Sequence, residues 1–264
     1  MLNITTERQA VQLLRQKIKR IYCPRCMRKR YVRSLPGGTR YYCQKCRYKF
    51  SFKVLLGLKN CKLTYMQIVK SIYCFSERKT LRTTMDMANI SYVTARYVYS
   101  RFRNLLPQIT GKLAGDVIVD ECFIGKQKTE NQVIVAGAVS RCGTYLKIQL
   151  VSDREQGTLE QFLVTHVRTD SLVTTDCLTS YGDIEWLGYG HQRDNHSKGQ
   201  LKLSCPIERV WAEFKTLLRR TYHHIWKESI HEYLVEFEAR FNHRHIVNNP
   251  SNLLTYLLNP VPSA

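Results

Sequence analysis

Acidic residues are scarce where basic ones are dense: the first 110 of the 264 residues hold only Glu7, Glu77 and Asp86 against 24 lysines and arginines. The remainder holds 17 basic and 18 acidic residues, so almost all of the +20 net charge belongs to the amino-terminal two-fifths. That asymmetry excludes one uniform domain and predicts a polyanion-binding module ahead of a near-neutral body with carboxylates to spare. Long apolar runs are missing too. No stretch reaches the ~18 residues a membrane helix requires, and the opening Met1–Leu14 lacks the charged-then-apolar order of a secretory signal. The expectation is a soluble intracellular protein without membrane partners, nuclear in a eukaryotic host and otherwise cytoplasmic. Short repeats and Pro/Ser/Gly tracts are also absent, which excludes collagen-like, coiled-coil and low-complexity classes.

The ten cysteines do not read as a disulfide scaffold, because four form two C-x-x-C pairs and six are scattered. Cys23-Pro-Arg-Cys26 and Cys43-Gln-Lys-Cys46 flank a turn at Pro36–Gly38, a spacing that sets four thiolates around one structural Zn²⁺ in a ribbon over 21–53. With four cysteine ligands no position stays open for water, and so short a segment folds only with its metal. Arg28, Lys29, Arg30 and Arg33 interleave with tyrosines, including Tyr31, Tyr41 and Tyr42. Cations for phosphates and rings for bases suit nucleic acid; a solvated charged face is the plain alternative.

A leading helix is expected within 1–20, capped by Thr5 or Thr6, with Ala10, Leu13, Leu14 and Ile18 inward. Within 60–107, helices over Thr64–Phe75, Thr80–Ala88 and Tyr92–Leu106, with Asn89-Ile90-Ser91 before the last, describe a helix-turn-helix. Its final helix offers Arg96, Arg101 and Arg103 to DNA, unless the trihelical unit serves packing alone.

After Pro107 the pattern changes to short apolar runs. Val117–Val119 ends in Asp120-Glu121, Val133–Val139 and Tyr145–Val151 form a hairpin, Gly157–His166 reads as a helix, and Leu172–Thr175 ends in Asp176. A mixed α/β sheet is expected, with acids at two strand ends. Ile207–Lys215 has helical spacing, and Glu208 lies on its first turn. Asp120, Asp176 and Glu208 converging would suit hard divalent cations, two Mg²⁺ or Mn²⁺ ions about 4 Å apart, and phosphodiester chemistry. Each acid alone reads equally well as an ordinary strand end or a helix amino-terminal charge. Trp211 and Phe214 sit at core spacing and receive no chemical role.

Several segments, in order, resemble a known family: Val-Asp-Glu-Cys-Phe-Ile-Gly-Lys (119–126), Thr-Asp-Cys-Leu-Thr-Ser-Tyr (175–181), Asn-His-Ser (195–197), Pro-Ile-Glu-Arg-Val-Trp-Ala-Glu-Phe-Lys (206–215) and Glu-Phe-Glu-Ala-Arg-Phe-Asn-His-Arg (236–244). Together with the ribbon and the helix-turn-helix they resemble the ISXO2-like transposases, grouped with the IS1595 and IS1016 insertion sequences and the related Merlin transposons. The resemblance implies a ribonuclease-H-like fold over 113–247, with 248–264 as a tail. It also implies a catalytic Asp-Asp-Glu triad matched by Asp120, Asp176 and Glu208, and a further site histidine, His196, which reads equally as a loop histidine. The implied activity is cutting and rejoining double-stranded DNA, terminal repeats and target alike, by a homodimer in a synaptic complex. Lys198, Lys202, Arg209, Lys215, Arg219 and Arg220 would hold the strand being cut. Two departures stand out. Cys205-Pro206 replaces the family's usual Asn-Thr before Ile-Glu, and only 31 residues separate Asp176 from Glu208. A domesticated, non-catalytic DNA-binding regulator is the competing function, and a nuclease of unrelated purpose is a third.

Overall fold

The computed structural model describes residues 4–19, 21–125, 132–176, 181–194, 205–223 and 227–259. Two compact units emerge, residues 1–107 with 243–264 and residues 108–242.

The first unit opens with α1 (Glu7–Lys17), started by a capping box between Thr6 and Gln9. The ribbon follows as three antiparallel strands in sequence order, β1 (Val32–Ser34), β2 (Arg40–Cys43) and β3 (Lys49–Ser51). A short α2 (Phe52–Leu55) leads to α3 (Tyr65–Ser76), α4 (Leu81–Ala88) and α5 (Tyr92–Arg103). The turn between the last two is set by local chemistry. Asn89 adopts the left-handed conformation, φ 51°, that ends α4, and the Ser91 side chain accepts from Thr94 N to start α5. Phe75 and Tyr99 meet edge to face at 4.9 Å in the trihelical core, where the Tyr99 hydroxyl lies 2.6 Å from Thr84 Oγ1.

The second unit is built on a five-stranded sheet. β4 (Asp116–Ile124), β5 (Val133–Ser140) and β6 (Leu146–Val151) run antiparallel; α6 (Gln156–His166) crosses to β7 (Leu172–Thr175) and then β8 (Gly190–Arg193), both parallel to β4. The order β6-β5-β4-β7-β8 is the ribonuclease-H-like arrangement. β8 is a strand the hydrophobic pattern does not predict. Gly-His-Gln-Arg carries no apolar side chain, because an edge strand with exposed residues needs none. Val117, Val119, Ala136 and Ala138 form one core with Leu159, Phe162 and Leu163 of α6. Two further helices, α7 (Cys205–Leu217) and α8 (Ile230–Asn242), meet through Phe214 and Phe237 at 4.9 Å, and Leu218–Tyr222 adds a π-helical turn after α7.

The acidic motif on α8 proves architectural. Buried Glu236 accepts from Arg240 Nε at 2.7 Å and from the Tyr222 hydroxyl, so it holds the π turn. Glu238 accepts from Lys147 Nζ and from Ile148 N, both at 3.2 Å. Asn242 accepts from Leu146 N at 2.8 Å and donates to Leu146 O at 2.9 Å, which covers the edge of β6 as a paired strand would.

Beyond Asn242 the chain forms α9 (Arg244–Val247) and α10 (Pro250–Leu258) in the first unit. Residues 248–264, expected as a tail, contain a helix that returns to α1: Asn259 Nδ2 donates to Lys17 O at 2.9 Å and Lys19 N donates to Asn259 Oδ1 at 2.6 Å. Among the described residues no helix is long and apolar enough to cross a membrane.

Candidate functional site

Parallel pairing runs the strands that lead to the first two acids side by side. The β4–β7 ladder matches Asp116 with Leu172, Val117 with Val173 and Ile118 with Thr174. The ladder stops at that last pair, and Asp120 and Asp176 each lie two residues farther along their chains. Glu208 arrives from α7. Its helical neighbour Trp211, three residues on and so on the same face, donates its indole N–H to Asp120 Oδ2 at 3.0 Å. Gly137 pairs with Asp120 across β4 and β5, and a Cβ there would stand 2.4 Å from Trp211 Cη2. The bare backbone at 137 is therefore the seat on which the indole lies.

Electrostatics records the convergence. Burial pushes the Asp120 carboxyl up; the Trp211 and Glu121 N–H groups oppose this, and the charges of Asp176 and Glu208 reinforce it. A divalent cation would reverse that balance, and hard carboxylate oxygens are the donors such a cation takes. The acids lie within one another's field without forming a tight cluster. Among the described residues, only the cysteines form a group of three or more potential ligands whose atoms all lie within 4.8 Å of one another.

In the ribbon, Cys23 and Cys46 Sγ are 3.4 Å apart, and Cys26 and Cys43 Sγ are 3.7 Å apart. A tetrahedron of ~2.3 Å Zn–S bonds has edges of about 3.8 Å, so the four sulfurs fit one zinc ion.

Sequence patterning overlooked two features of this end of the sheet. Trp211, read as core, anchors the first acid. Glu121, one residue past Asp120, faces the opposite side of β4 by strand alternation and accepts a hydrogen bond from the buried Tyr181 hydroxyl. Burial raises Glu121 to about 7, opposed by Tyr181 and Arg154 and reinforced by Asp120 and Asp176. The Asp-Glu dipeptide and the tyrosine of 175–181 were visible in the sequence, but nothing in it paired them.

The expected DNA contacts divide. Arg28, Lys29, Arg30 and Arg33 are exposed on the ribbon, and Arg96 is exposed on α5 beside Tyr92, Val93 and Tyr97. Arg101 is exposed, with Nε donating to Gly57 O at 2.9 Å. Arg103 corrects the sequence expectation: it is only 3% exposed, because it follows Tyr99 by four residues on the packed face of the helix, and it has no surface to offer DNA. His196, Lys198 and Lys202 lie outside the described residues.

Residues 112–242, nearly the whole second unit, match the family model described as the ISXO2-like transposase domain. A comparison with curated proteins gives no match. Among solved structures the chain is similar to the catalytic core domain of BIV integrase, with 10% identity and a TM-score of 0.34 over 48% of this chain and 82% of that one. Residues 112–242 of this chain are thus similar to an ISXO2-like transposase domain.

Proposed function

We propose that the chain is a DNA transposase that binds transposon ends and catalyses phosphodiester hydrolysis and strand transfer at Asp120, Asp176 and Glu208. The observation that supports this reading is the hydrogen bond from Trp211, three residues after Glu208 on α7, to Asp120, with the charges of Asp176 and Glu208 both acting on that carboxyl. Asp120, Asp176 and Glu208 would hold Mg²⁺ or Mn²⁺, whose chemistry there would be to activate a water or 3′-hydroxyl and to stabilise the leaving oxygen. The chain's own residues would do the positioning: Trp211 restrains one oxygen of Asp120, and Asp176 and Glu208 would present their carboxylates to the same ions. Exposed Arg209, Lys215 and Arg219 extend positive charge along α7 and the π turn, suited to the phosphates of the strand being cut. In the first unit, Zn²⁺ at the four cysteines would hold the ribbon so that its exposed arginines and α5 contact double-stranded terminal repeats. His196 and Lys198 are carried as further site and DNA-binding residues, with a homodimer as the synaptic unit.

The test is nicking of end-containing DNA by the purified protein. Mg²⁺-dependent cleavage abolished by Asp120→Ala, Asp176→Ala and Glu208→Ala supports the triad, and retained cleavage removes the residue concerned. Salt-sensitive DNA binding with no cleavage under Mg²⁺ or Mn²⁺ would instead identify a DNA-binding regulator. Cleavage without joining would identify a nuclease.

A further inference from the structure

The β4–β7 ladder ends at Ile118 and Thr174, two residues short of both acids. On its other side the chain is well held: Asp194 N donates to Thr175 O at 2.8 Å, and Thr175 Oγ1 lies 2.9 Å from His191 Nε2. Among the described residues after Asp176, Tyr181 reaches β4 through its side chain. Tyr181, five residues after Asp176, belongs to the core of Val119, Phe162 and Ile184 and donates its hydroxyl to Glu121 Oε1. Glu121 is the residue next to Asp120, turned to the face opposite it. For packing alone this is a poor choice, because a half-buried carboxyl beside an apolar core loses hydration that an aliphatic side chain never had. A hydrogen bond does what packing cannot: it fixes a direction between Tyr181 and the residue next to Asp120.

We propose that the Tyr181–Glu121 hydrogen bond is a positioning device that ties Tyr181, five residues after Asp176, to β4 beside Asp120 and thereby helps set the placement of Asp120 and Asp176 for divalent cations. It rests on the reading of those two carboxylates as cation ligands. Tyr181 and Glu121 are positioning residues in this account, and neither touches the reacting atoms.

The experiment uses the full chain with its cysteines saturated with Zn²⁺, titrated with Mn²⁺ while free Mn²⁺ is read by electron paramagnetic resonance. Tyr181→Phe and Glu121→Leu each break the bond and are expected to weaken Mn²⁺ binding about tenfold, the lower end of what outer residues around a metal contribute. Glu121→Gln keeps a carbonyl oxygen for the phenol and is expected to stay within about twofold of the wild type. Unchanged Mn²⁺ affinity in folded Tyr181→Phe or Glu121→Leu overturns the proposal. So does a loss in Glu121→Gln equal to that in Glu121→Leu, which would make the charge of Glu121 the operative property. Circular dichroism checks each fold, and if Tyr181→Phe does not fold, the two Glu121 variants decide. Wild-type binding that survives Asp120→Ala removes the cation site, and the proposal with it. Cleavage plays no part in this readout, so a protein that binds Mn²⁺ through Asp120 but never nicks DNA would sink the transposase reading and leave the tie standing.

Discussion

Trp211 reaches across from α7 to donate its indole N–H to Asp120 at 3.0 Å, and it can do so because residue 137, Asp120's partner across the sheet, has no side chain. A core residue and a gap in the sheet thus orient the first acid of the site.

Gly137→Ala is expected to displace the indole, since the added methyl would stand 2.4 Å from Cη2 and the buried ring has little room to retreat. Overpacking of this kind costs about 1–3 kcal/mol. Trp211→Phe removes the donor instead, and a hydrogen bond to a charged group contributes about 1.5–3 kcal/mol. Both variants should lower the thermal midpoint and, under the transposase reading, slow nicking. Normal nicking by folded Gly137→Ala would show that the orientation of Asp120 does not depend on this contact.

Arg240→Leu should be the most damaging single change on α8. Arg240 and Glu236 are almost fully buried and 2.7 Å apart, and removing one partner of such a pair costs about 3–5 kcal/mol. Urea denaturation should register that loss, whereas Lys79→Ala, which breaks the exposed pair with Glu77 at 3.7 Å, should leave the midpoint unchanged.

Stability should fall on the acid side of neutrality through His166. Burial, with help from Lys147 and Lys112, lowers its imidazole to about 4, while its Nε2 lies 2.6 Å from Gln149 Oε1. The unfolded chain, with a histidine near ~6.5, then binds the proton more readily than the folded one. The contribution is complete above about 6.5 and is lost as pH falls from there towards 4. Thermal midpoints recorded over that window should drop in the wild type and drop less in His166→Gln.

Replacing Arg28, Arg30 and Arg33 with glutamine should weaken DNA binding and flatten its salt dependence, by about 0.9 in logarithmic slope for each phosphate left without its cation. Chelation of the metal held by the four cysteines should unfold the ribbon and weaken binding to a similar degree. Arg103→Gln, by contrast, should act on the stability of the helical unit, because that guanidinium is buried.

Local signals carried much of this molecule. Thr6, Thr64, Thr80 and Ser91 each cap a helix within a few residues of where the pattern begins. The C-x-x-C pairs come together as one cluster, and the strand-end acids lie where the apolar runs stop. β8 escapes sequence reading because a polar edge strand carries no periodic signature. Arg103 escapes it because charge alone does not say which side of a helix is packed. Helix α10 does not announce itself as part of the first unit because its partners, α1 and α3, lie more than 170 residues earlier in the chain.

The sequence by itself determined the four-cysteine ribbon, the three-helix unit and the alternation of strands around α6, because each depends on neighbours a few residues apart. Only the tertiary structure decided that the strand leading to Asp176 pairs in parallel with β4, that Trp211 donates to Asp120, and that Glu121 is joined to Tyr181. Those relationships follow from strand register and helix docking, which join residues 56 to 91 positions apart through shapes that no local pattern encodes.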